Sequence, residues 1–438
     1  MSKLDELIKK LCPDGVEYKN LSEVAEYVRG LTYGKTDELN TEWEKGIPVL
    51  RANNITLGIN KLNFDEVKYV KRSVKIKDNQ FLAKDDILIC AGSGSKEHVG
   101  KVAFINENLP YAFGGFMAVI RAKKPISLLP RYIYHNLTGK RFRRHIGFTI
   151  DSATINNLNA RIVGSFKIPV PPLEVQREIV KILDNFTELT AELTAELTAR
   201  KKQYEYYRNR LLTFDTASHI KKVKLGDVAK VTKLAGFEFT KYVTYAEKGH
   251  IIALRGLNVK NGNLDLCDVK YIDGSDLSKL ERSKLHVGDM LFTYVGTIGQ
   301  VALIDKEDTY YLAPNVALIR VDKNVLLPEY MRFYFQSSLF WDTQIKRLLQ
   351  SSSMKNIPME KIRKFELLVP PIDVQRRLVH VLDNFDKVCN DLHIGLPAEI
   401  EARKKQYEFY RDSLLTFLEK GESILTDRQT DRQTDRQN

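Results

Sequence analysis

Two stretches of this sequence place basic residues just before a turn that is rich in hydroxyl and amide groups. Residues 140–145 read KRFRRH and precede the turn SATINN at 152–157, and the pair KR at 346–347 precedes the turn SSSMKN at 351–356. Arg and Lys bind phosphates and guanine edges, whereas Ser, Thr and Asn bind phosphates and adenine edges. The pattern predicts a surface that reads DNA, although a single charged residue is more often only a solvated surface group.

A basic segment near Lys71 and two polar loops complete the set of candidate DNA-binding residues. Lys71, Arg72, Lys75 and Lys77 are predicted to lie on one basic strand, and the loops contain GSGSK at 92–96 and GT at 296–297. The full set is Lys71, Arg72, Lys75, Ser93, Ser95, Lys96, Lys140, Arg141, Arg143, Arg144, Ser152, Thr154, Asn156, Thr297, Lys346, Arg347, Ser351, Ser352, Lys355 and Asn356.

Motifs for catalysis and metal binding are missing from the sequence. The run at 92–96 lacks the spacing of a phosphate-binding loop, and the eight histidines form no HExxH motif. The four cysteines lack metal-ligand spacing, and the Asn/Asp-Pro-Pro-aromatic tetrapeptide of amino-methyltransferases does not occur. Asp14, Glu66 and Lys68 match a nuclease carboxylate set only loosely, and a surface strand explains the last two better. We predict no catalytic residue, no metal site and no cofactor in this chain.

The composition is that of a basic protein with packed cores. The 438 residues carry a formal net charge of +12, with 43% hydrophobic and 28% charged residues. A surplus of that size favours a polyanionic partner, although ribosomal, membrane-surface and ordinary basic proteins share it. The scattered cysteines are typical of reduced thiols, the start MSKLDELIKKLC is unlike a signal peptide, and no apolar run is long enough to span a membrane. These features predict a cytoplasmic protein.

A repeated block organises the chain around these candidate sites. Val170–Phe186 reads VPPLEVQREIVKILDNF, and Val369–Phe385 reads VPPIDVQRRLVHVLDNF. A second shared block follows each copy, ARKKQYEYYRNRLLTF from Ala199 and ARKKQYEFYRDSLLTF from Ala402. A period of roughly 200 residues is too long for a solenoid, so it indicates a duplicated module.

Each repeated block is predicted to be helical. No Gly or Pro occurs from Leu173 to Leu212, which predicts one helix roughly 60 Å long. Its apolar stripe needs a partner, and the second copy is the obvious one, with a break predicted at Gly395 and Pro397. Two independent surface helices are the alternative. The residues predicted to pair the helices are Val175, Ile179, Leu183, Phe186, Leu189, Leu193, Leu197, Val374, Leu378, Leu382 and Phe385.

Short β-branched runs bounded by Gly, Asn and Asp precede each block, so each module is predicted to mix helices and strands. The predicted fold class is α+β, with two duplicated recognition domains, each followed by a long helix, and an antiparallel coiled coil between the helices. The predicted boundaries are 1–169 and 215–368 for the domains, 170–214 and 369–417 for the helical spacers, and 418–438 for a disordered tail. The scaffold matches between the modules while the loops differ, which fits either two recognition units with different targets or drift after duplication.

Two short tandem repeats stand apart from this plan. Residues 190–197 read TAELTAEL, and losing one unit from a helix moves its ends by about 6 Å, close to two base pairs of duplex DNA. TAEL is also simply good helix sequence. Residues 426–437 read TDRQ three times and are predicted to be disordered. Because a tetranucleotide repeat can encode TDRQ, we hypothesise that the end of the gene is phase-variable; a solubilising tail is the alternative.

The two copies of the repeated blocks, with the Ser-containing turns before them, resemble the specificity subunits of type I restriction-modification systems. The resemblance covers the chain as far as Phe417. It implies two target recognition domains that each read half of a bipartite site in double-stranded DNA, and helices that fix the spacing and dock two modification subunits. It also implies that those partners bind S-adenosylmethionine and methylate adenine, and that restriction subunits add cleavage that depends on ATP and Mg.

Two other classes of function remain open at this point. One is a non-catalytic adaptor or structural protein whose basic charge serves a protein partner. The other is a self-sufficient DNA-modifying enzyme, which the missing motifs disfavour.

Overall fold

The structure is a computed structural model and describes most of the chain. The described residues are 3–39, 46–123, 127–150, 157–214, 220–234, 239, 241–350, 356–391 and 393–416. The predictions for the TDRQ tail and for Ser152, Thr154, Asn156, Ser351, Ser352 and Lys355 lie outside these residues.

Helices and strands alternate along both modules. The helices are α1 Lys3–Leu11, α2 Leu21–Val24, α3 Pro130–Thr138, α4 Lys140–Ile150, α5 Ala160–Gly164, α6 Leu173–Leu212, α7 Leu225–Val228, α8 Pro328–Phe335, α9 Ser338–Phe340, α10 Lys346–Gln350, α11 Met359–Arg363, α12 Ile372–Asn390 and α13 Leu396–Thr416. The strands are β1 Tyr18–Asn20, β2 Ala25–Arg29, β3 Glu38–Leu39, β4 Gly46–Leu50, β5 Lys68–Lys71, β6 Ile87–Cys90, β7 Val102–Phe104, β8 Ala112–Phe113, β9 Met117–Ala122, β10 Lys167–Pro169, β11 Lys221–Lys224, β12 Ala229–Lys233, β13 Ile252–Leu254, β14 Val259–Lys260, β15 Asn263–Leu264, β16 Lys270–Tyr271, β17 Met290–Thr293, β18 Val301–Leu303, β19 Tyr310–Leu312, β20 Val316–Val321 and β21 Glu366–Val369.

The first compact unit comprises residues 1–192 and 400–438. Its main sheet is antiparallel with the strand order β2-β9-β6-β7, and a second sheet has the order β3-β5-β4-β8. The central strand β6 is buried on both faces: Ile87 and Ile89 belong to the core that contains the helices, while Leu88 and Cys90 belong to the other core. This alternation follows from the two-residue period of a strand.

The second compact unit, residues 193–399, repeats this plan. Its main sheet has the order β12-β20-β17-β18, and β16-β13-β19 form the second sheet. In β17, Met290 and Phe292 belong to one core and Leu291 to the other. The prediction of two duplicated modules that mix helices and strands is therefore confirmed.

The helix α6 is one uninterrupted helix of 40 residues, as the absence of Gly and Pro predicts. The second copy is broken between α12 and α13, also as predicted. In the break, the Asp391 carboxylate accepts the backbone N–H groups of His393 and Ile394 at 2.7 and 3.1 Å. A side chain at Gly395 would clash with the carbonyl oxygens of the last turn of α12, so this position requires Gly.

The apolar stripe of α6 is covered by its own recognition domain as well as by the predicted second block. Val175, Ile179 and Leu183 are fully buried in a core that contains residues of α1 and α3 together with Leu414 and Leu415 of α13. Leu382 of α12 is buried in the core of the second unit, and Val374 and Leu378 are half-buried. Leu189, Leu193 and Leu197 of α6 are also half-buried. An apolar stripe shows that one face of a helix is buried, but it does not show which element covers that face.

Aromatic rings join the two repeated blocks within each unit. In the first unit, Phe186 of α6 stacks on Tyr410 of α13 with ring centroids 5.2 Å apart. In the second unit, Phe385 of α12 stacks on Tyr204 and Tyr207 of α6 at 6.5 and 5.8 Å. Each unit thus combines the first part of one block with the last part of the other, the order that antiparallel pairing requires.

Candidate nucleic-acid interface

The loop after β6 and the turn before α5 meet in the first unit. Gly92 forms a β-bridge with Asn157, and the backbone N–H of Leu158 donates to the carbonyl of Ala91 at 2.6 Å. Ser93, Ser95 and Lys96 follow on this loop, and the Ser93 hydroxyl accepts the Ser95 N–H at 3.2 Å. The structure therefore brings the loop candidates next to the end of the Ser-Ala-Thr turn, two segments that are far apart in sequence.

The second unit contains the same junction with different residues. Val295 forms a β-bridge with Asn356, and the N–H of Ile357 donates to the carbonyl of Tyr294 at 2.9 Å. Thr297 is exposed on this loop. Because Ala91 and Tyr294 hold equivalent places after β6 and β17, the two junctions are copies of one frame with different side chains on it.

The basic helix α4 packs beside the first junction. Phe142 and Ile146 are buried, while Arg143 and Arg144 are exposed on the other side of the helix. Ile146 lies against Gly100, whose φ of 82° and lack of a side chain allow the loop to approach the helix. In the second unit Trp341 lies in the same way against Gly299, which has a φ of 89°. The loop is thus held against a helical segment in both units.

Two residues of α4 contact protein groups rather than only solvent. The Lys140 ammonium lies 3.5 Å from the Asp412 carboxylate of α13, and Asp412 also accepts the Lys140 backbone N–H. The Arg141 guanidinium lies over the Tyr18 ring, with 5.1 Å between the charge centre and the ring centroid. Arg143 and Arg144 are consequently the better candidates on this helix for contacts with phosphates.

The prediction that the basic residues at and after Lys71 lie on one strand is wrong. β5 ends at Lys71, and a turn follows in which the Val74 N–H donates to the Lys71 carbonyl at 3.0 Å. Lys71, Arg72 and Lys75 are all exposed there, at and after the end of a strand of the second sheet. A run of positive charges indicates exposure and does not mark where a strand ends.

The basic pair of the second unit begins α10. Lys346 and Arg347 are exposed, and the Lys346 ammonium lies 3.6 Å from the carboxylate of Asp342 one turn earlier. A π-helix from Trp341 to Ile345 leads directly into α10. A basic helix therefore precedes the turn in both units, and its α-helical part is shorter in the second unit.

An exposed phenylalanine at the first junction is missing from the predicted set. Phe116 ends the turn between β8 and β9, and its carbonyl accepts the N–H groups of Ala91 and Gly92 at 2.8 and 2.9 Å. Its ring is 68% exposed. The signal in the sequence is only the run FGGFM, because a Phe beside a strand is normally expected in the core.

The same glutamine anchors each junction-bearing domain to its helix. Gln176 is fully buried, accepts the N–H of Leu129 at 2.8 Å, and donates to the carbonyls of Ser127 and Pro171 at 2.9 and 2.8 Å. Gln375 makes the equivalent three hydrogen bonds in the second unit. The repeated Val-Gln dipeptide is thus explained as an attachment point.

A buried polar cluster connects α3, α6 and α13 in the first unit. His135 is fully buried, with Nε2 2.9 Å from the Asp184 carboxylate and Nδ1 3.1 Å from the Tyr407 hydroxyl. Arg131 donates to the same carboxylate at 2.9 Å. Burial lowers the pKa of His135, and the bond to Asp184 opposes this without reversing it. We infer a neutral ring that donates from Nε2 to Asp184 and accepts from Tyr407 at Nδ1.

The carboxylate in this cluster stays ionised. Burial acts to raise the pKa of Asp184, but the hydrogen bonds and charges of His135 and Arg131 outweigh it and hold the pKa below its usual value. The equivalent residue of the second unit, Asp383, is paired with Arg332 at 2.7 Å instead. Both clusters lie at the long helices, and in each one an arginine is paired with the aspartate.

Within the residues that the structure describes, no group of three or more His, Cys, Asp or Glu side chains could hold a metal ion. None of the helices in the described ranges combines the length and the apolar character needed to cross a bilayer. All four cysteines are free thiols, and only Cys267 is exposed.

Comparison with known proteins identifies the duplication. The sequence matches the type I restriction modification DNA specificity domain twice, over residues 13–200 and 218–402. A putative type I restriction enzyme specificity subunit of Haemophilus influenzae is 31% identical over 417 residues, which cover 92% of this chain and 96% of that protein. The EcoKI specificity subunit of Escherichia coli is 28% identical, with 84% of this chain and 81% of that protein covered.

Solved structures share the fold. A chain from a structure of type I R-M complex assembly superimposes with a TM-score of 0.58 at 14% identity, covering 92% of this chain and 98% of that one. The S subunit of M. genitalium gives a TM-score of 0.51 at 14% identity, covering 92% and 97%. Two matches to one DNA-specificity domain, spanning most of the sequence, confirm what the repeated blocks indicate: the chain belongs to the family of type I restriction-modification DNA specificity subunits.

Proposed function

We propose that this chain gives a type I restriction-modification complex its sequence specificity, and that each unit reads one half of a bipartite site in double-stranded DNA. The observation that carries the proposal is the repeated junction, in which Gly92 meets Asn157 in one unit and Val295 meets Asn356 in the other. One backbone frame with two sets of side chains is what reading two different half-sites requires. A protein that only bridges other proteins has no need of two diverged loops on one frame.

The charges around the first junction suit a DNA backbone. Arg143 and Arg144 are exposed on α4, and Lys96 is exposed on the loop itself. Cations position a protein on DNA through phosphates, while Ser, Thr and Asn side chains read base edges. We therefore assign the arginines to positioning and Ser93, Ser95 and the 152–156 turn to base reading. In the second unit Arg347 and Thr297 take the corresponding roles.

The continuous helix α6 supports a spacing role. It runs from the first unit into the second without a break, and the TAELTAEL segment lies in its middle. Its length therefore contributes directly to the number of unread base pairs between the half-sites. A change of one four-residue unit alters the helix by about 6 Å, or roughly two base pairs.

Identical basic residues on the two blocks fit two copies of one partner. Arg200, Lys201 and Lys202 recur as residues 403–405, and Arg200 and Arg403 each donate to the Gln three residues later at 3.2 Å. Reading loops must differ between half-sites, whereas docking surfaces for the same subunit must match. We propose that these surfaces dock two modification subunits, and that restriction subunits join the same complex.

The chemistry of the complex then belongs to the partners. The modification subunits would bind S-adenosylmethionine and methylate adenine, and the restriction subunits would use ATP and Mg, with no cofactor held by this chain. Because its target is chromosomal and invading DNA, we propose that the complex works in the cytoplasm.

The proposal is tested by a methylome. The chain is expressed with the methyltransferase encoded beside it, and the host DNA is sequenced with detection of modified bases. We expect one new bipartite motif with two short half-sites and a fixed spacer. A complex that co-purifies intact but adds no motif and binds DNA without sequence preference would contradict the proposal and favour an adaptor.

A further inference from the structure

Phe116 is more exposed than any other Phe, Tyr or Trp in the described part of the chain. Its ring is 68% exposed, compared with 57% for Tyr206, the next in order. Burying a Phe side chain stabilises a fold, so leaving this ring in water forgoes a substantial stabilisation. A large exposed apolar group is informative when its surroundings show what covers it in the functional state.

The backbone that carries this ring is fixed on several sides. The Gly30 N–H donates to the Met117 carbonyl at 3.0 Å, and the Leu31 N–H donates to the Phe113 carbonyl at 2.9 Å. The turn is closed by the Met117 N–H, which donates to the Gly114 carbonyl at 2.7 Å. A side chain on Gly30 would clash with Gly114, so the two segments are in direct backbone contact. The ring is therefore presented by a rigid support, and a mobile loop does not explain its exposure.

The position of the ring is set by the reading loop. The Phe116 carbonyl accepts the N–H groups of Ala91 and Gly92, and Gly92 is bridged to Asn157. Ser93, Ser95 and Lys96 begin one residue further along. Phe116 thus stands where the three segments of the first junction meet, beside hydroxyl groups and a cation that suit DNA.

We propose that the Phe116 ring enters the DNA groove read by the first unit and makes an apolar contact with the bases there, so that it determines specificity at one position of that half-site. The inference rests on the proposed function and adds a residue and a kind of contact to it. Phe side chains contact the methyl group of thymine in the major groove and also wedge against base steps. Both are contacts of an apolar ring with the apolar surface of a base.

The second unit offers a natural counterpart at the same place. β6 pairs Cys90 with Met117, and β17 pairs Thr293 with Val316, so the residue before each strand is equivalent. That residue is Phe116 in the first unit and Asn315 in the second. Asn315 is exposed, and an Asn side chain suits the edge of adenine. The two units would then use an apolar and a polar contact at one position of a shared frame.

The test compares variants within the intact complex. Phe116→Ala and Phe116→Asn, the latter carrying the residue of the second unit, are expressed with the modification subunit, and the methylome and DNA affinity are measured. We expect both to relax the motif at one or two adjacent bases of one half-site and to weaken binding about tenfold. The other half-site and the spacer should not change. Phe116→Tyr keeps the ring and should keep the motif.

Phe64→Ala is the matched control, because it removes another exposed ring of the same unit, whose centroid lies 4.9 Å from that of Tyr111. It should leave the motif unchanged. A complex with Phe116→Ala that assembles, melts as the wild type does and yields the same motif with affinity within twofold would overturn the inference alone. A wild-type complex without any bipartite motif would overturn the proposed function and this inference together.

Discussion

Replacing Gln176 with Ala should detach the first recognition domain from its helix while leaving the second attached. The side chain is fully buried and makes three hydrogen bonds of 2.8–2.9 Å, of which two join α6 to the segment before α3 and the third reaches Pro171 just before α6. Ala can make none of them. The backbone N–H of Leu129 and the carbonyls of Ser127 and Pro171 would each lose this partner.

The size of the effect follows from the number of hydrogen bonds that are lost. A buried group that loses its hydrogen-bond partner costs about 1–3 kcal/mol, and three are affected here. Water entering the space left by the amide would recover part of this. We therefore expect a loss of roughly 3–4 kcal/mol in the free energy of local opening, which corresponds to about a few hundredfold in exchange rate.

Hydrogen exchange followed by mass spectrometry separates the two units, which a single unfolding curve does not. Gln176→Ala should speed exchange in residues 127–138, and Gln375→Ala should do the same in residues 325–335, each without affecting the other segment. Gln203→Ala is the control, because that side chain is exposed on the same helix. Exchange within threefold of the wild type at 127–138 in the Gln176→Ala protein would refute the assignment of the glutamine as an anchor.

Three further predictions concern the helix, the charges and pH. Deleting one TAEL unit from 190–197 should shorten the spacer of the methylated motif by about two base pairs, and an unchanged spacer in an active complex would argue against a spacing role for α6. Changing Arg143 and Arg144 to Glu should weaken DNA binding and flatten its salt dependence, and an unaltered slope of affinity against salt would place the phosphate contacts elsewhere. Because the folded-state pKa of His135 is lowered, the unfolded chain binds more protons in acid, so the first unit should lose stability as the pH falls through about 6.5. His135→Phe, which introduces the residue found at Phe333 in the second unit, should remove that dependence, measured as hydrogen-exchange protection of residues 127–138 at pH 5.5 and 7.5 relative to the intrinsic exchange rate at each pH.

The helical frame follows closely from the sequence. An uninterrupted α6 and a break at Gly395 both come from local rules about Gly and Pro, which act within a few residues. The duplicated α+β fold can also be predicted, because the same pattern of helices and strands occurs twice in the sequence. Features that are decided by residues close together in the sequence can therefore be predicted from it.

Contacts between distant segments are less accessible. The stripe of Val175, Ile179 and Leu183 correctly predicts burial, but it does not reveal that the core of the recognition domain covers it together with Leu414 and Leu415 of the second repeated block. The candidates at Ser93 and near Asn157 are identified separately, but only the fold shows that they meet. The sequence does not indicate Phe116 as a site residue, because tertiary packing decides whether an aromatic ring is exposed.

The loop of the first junction is held through main-chain atoms. Ala91 and Gly92 bond to the carbonyl of Phe116, and Leu158 bonds to the carbonyl of Ala91, so none of these attachments depends on the identity of a side chain. Substitutions at the neighbouring exposed positions can therefore alter what the loop touches without loosening how it is held. Mutations that change the DNA target are therefore distinct from mutations that damage the fold. New DNA specificities can evolve with little loss of stability.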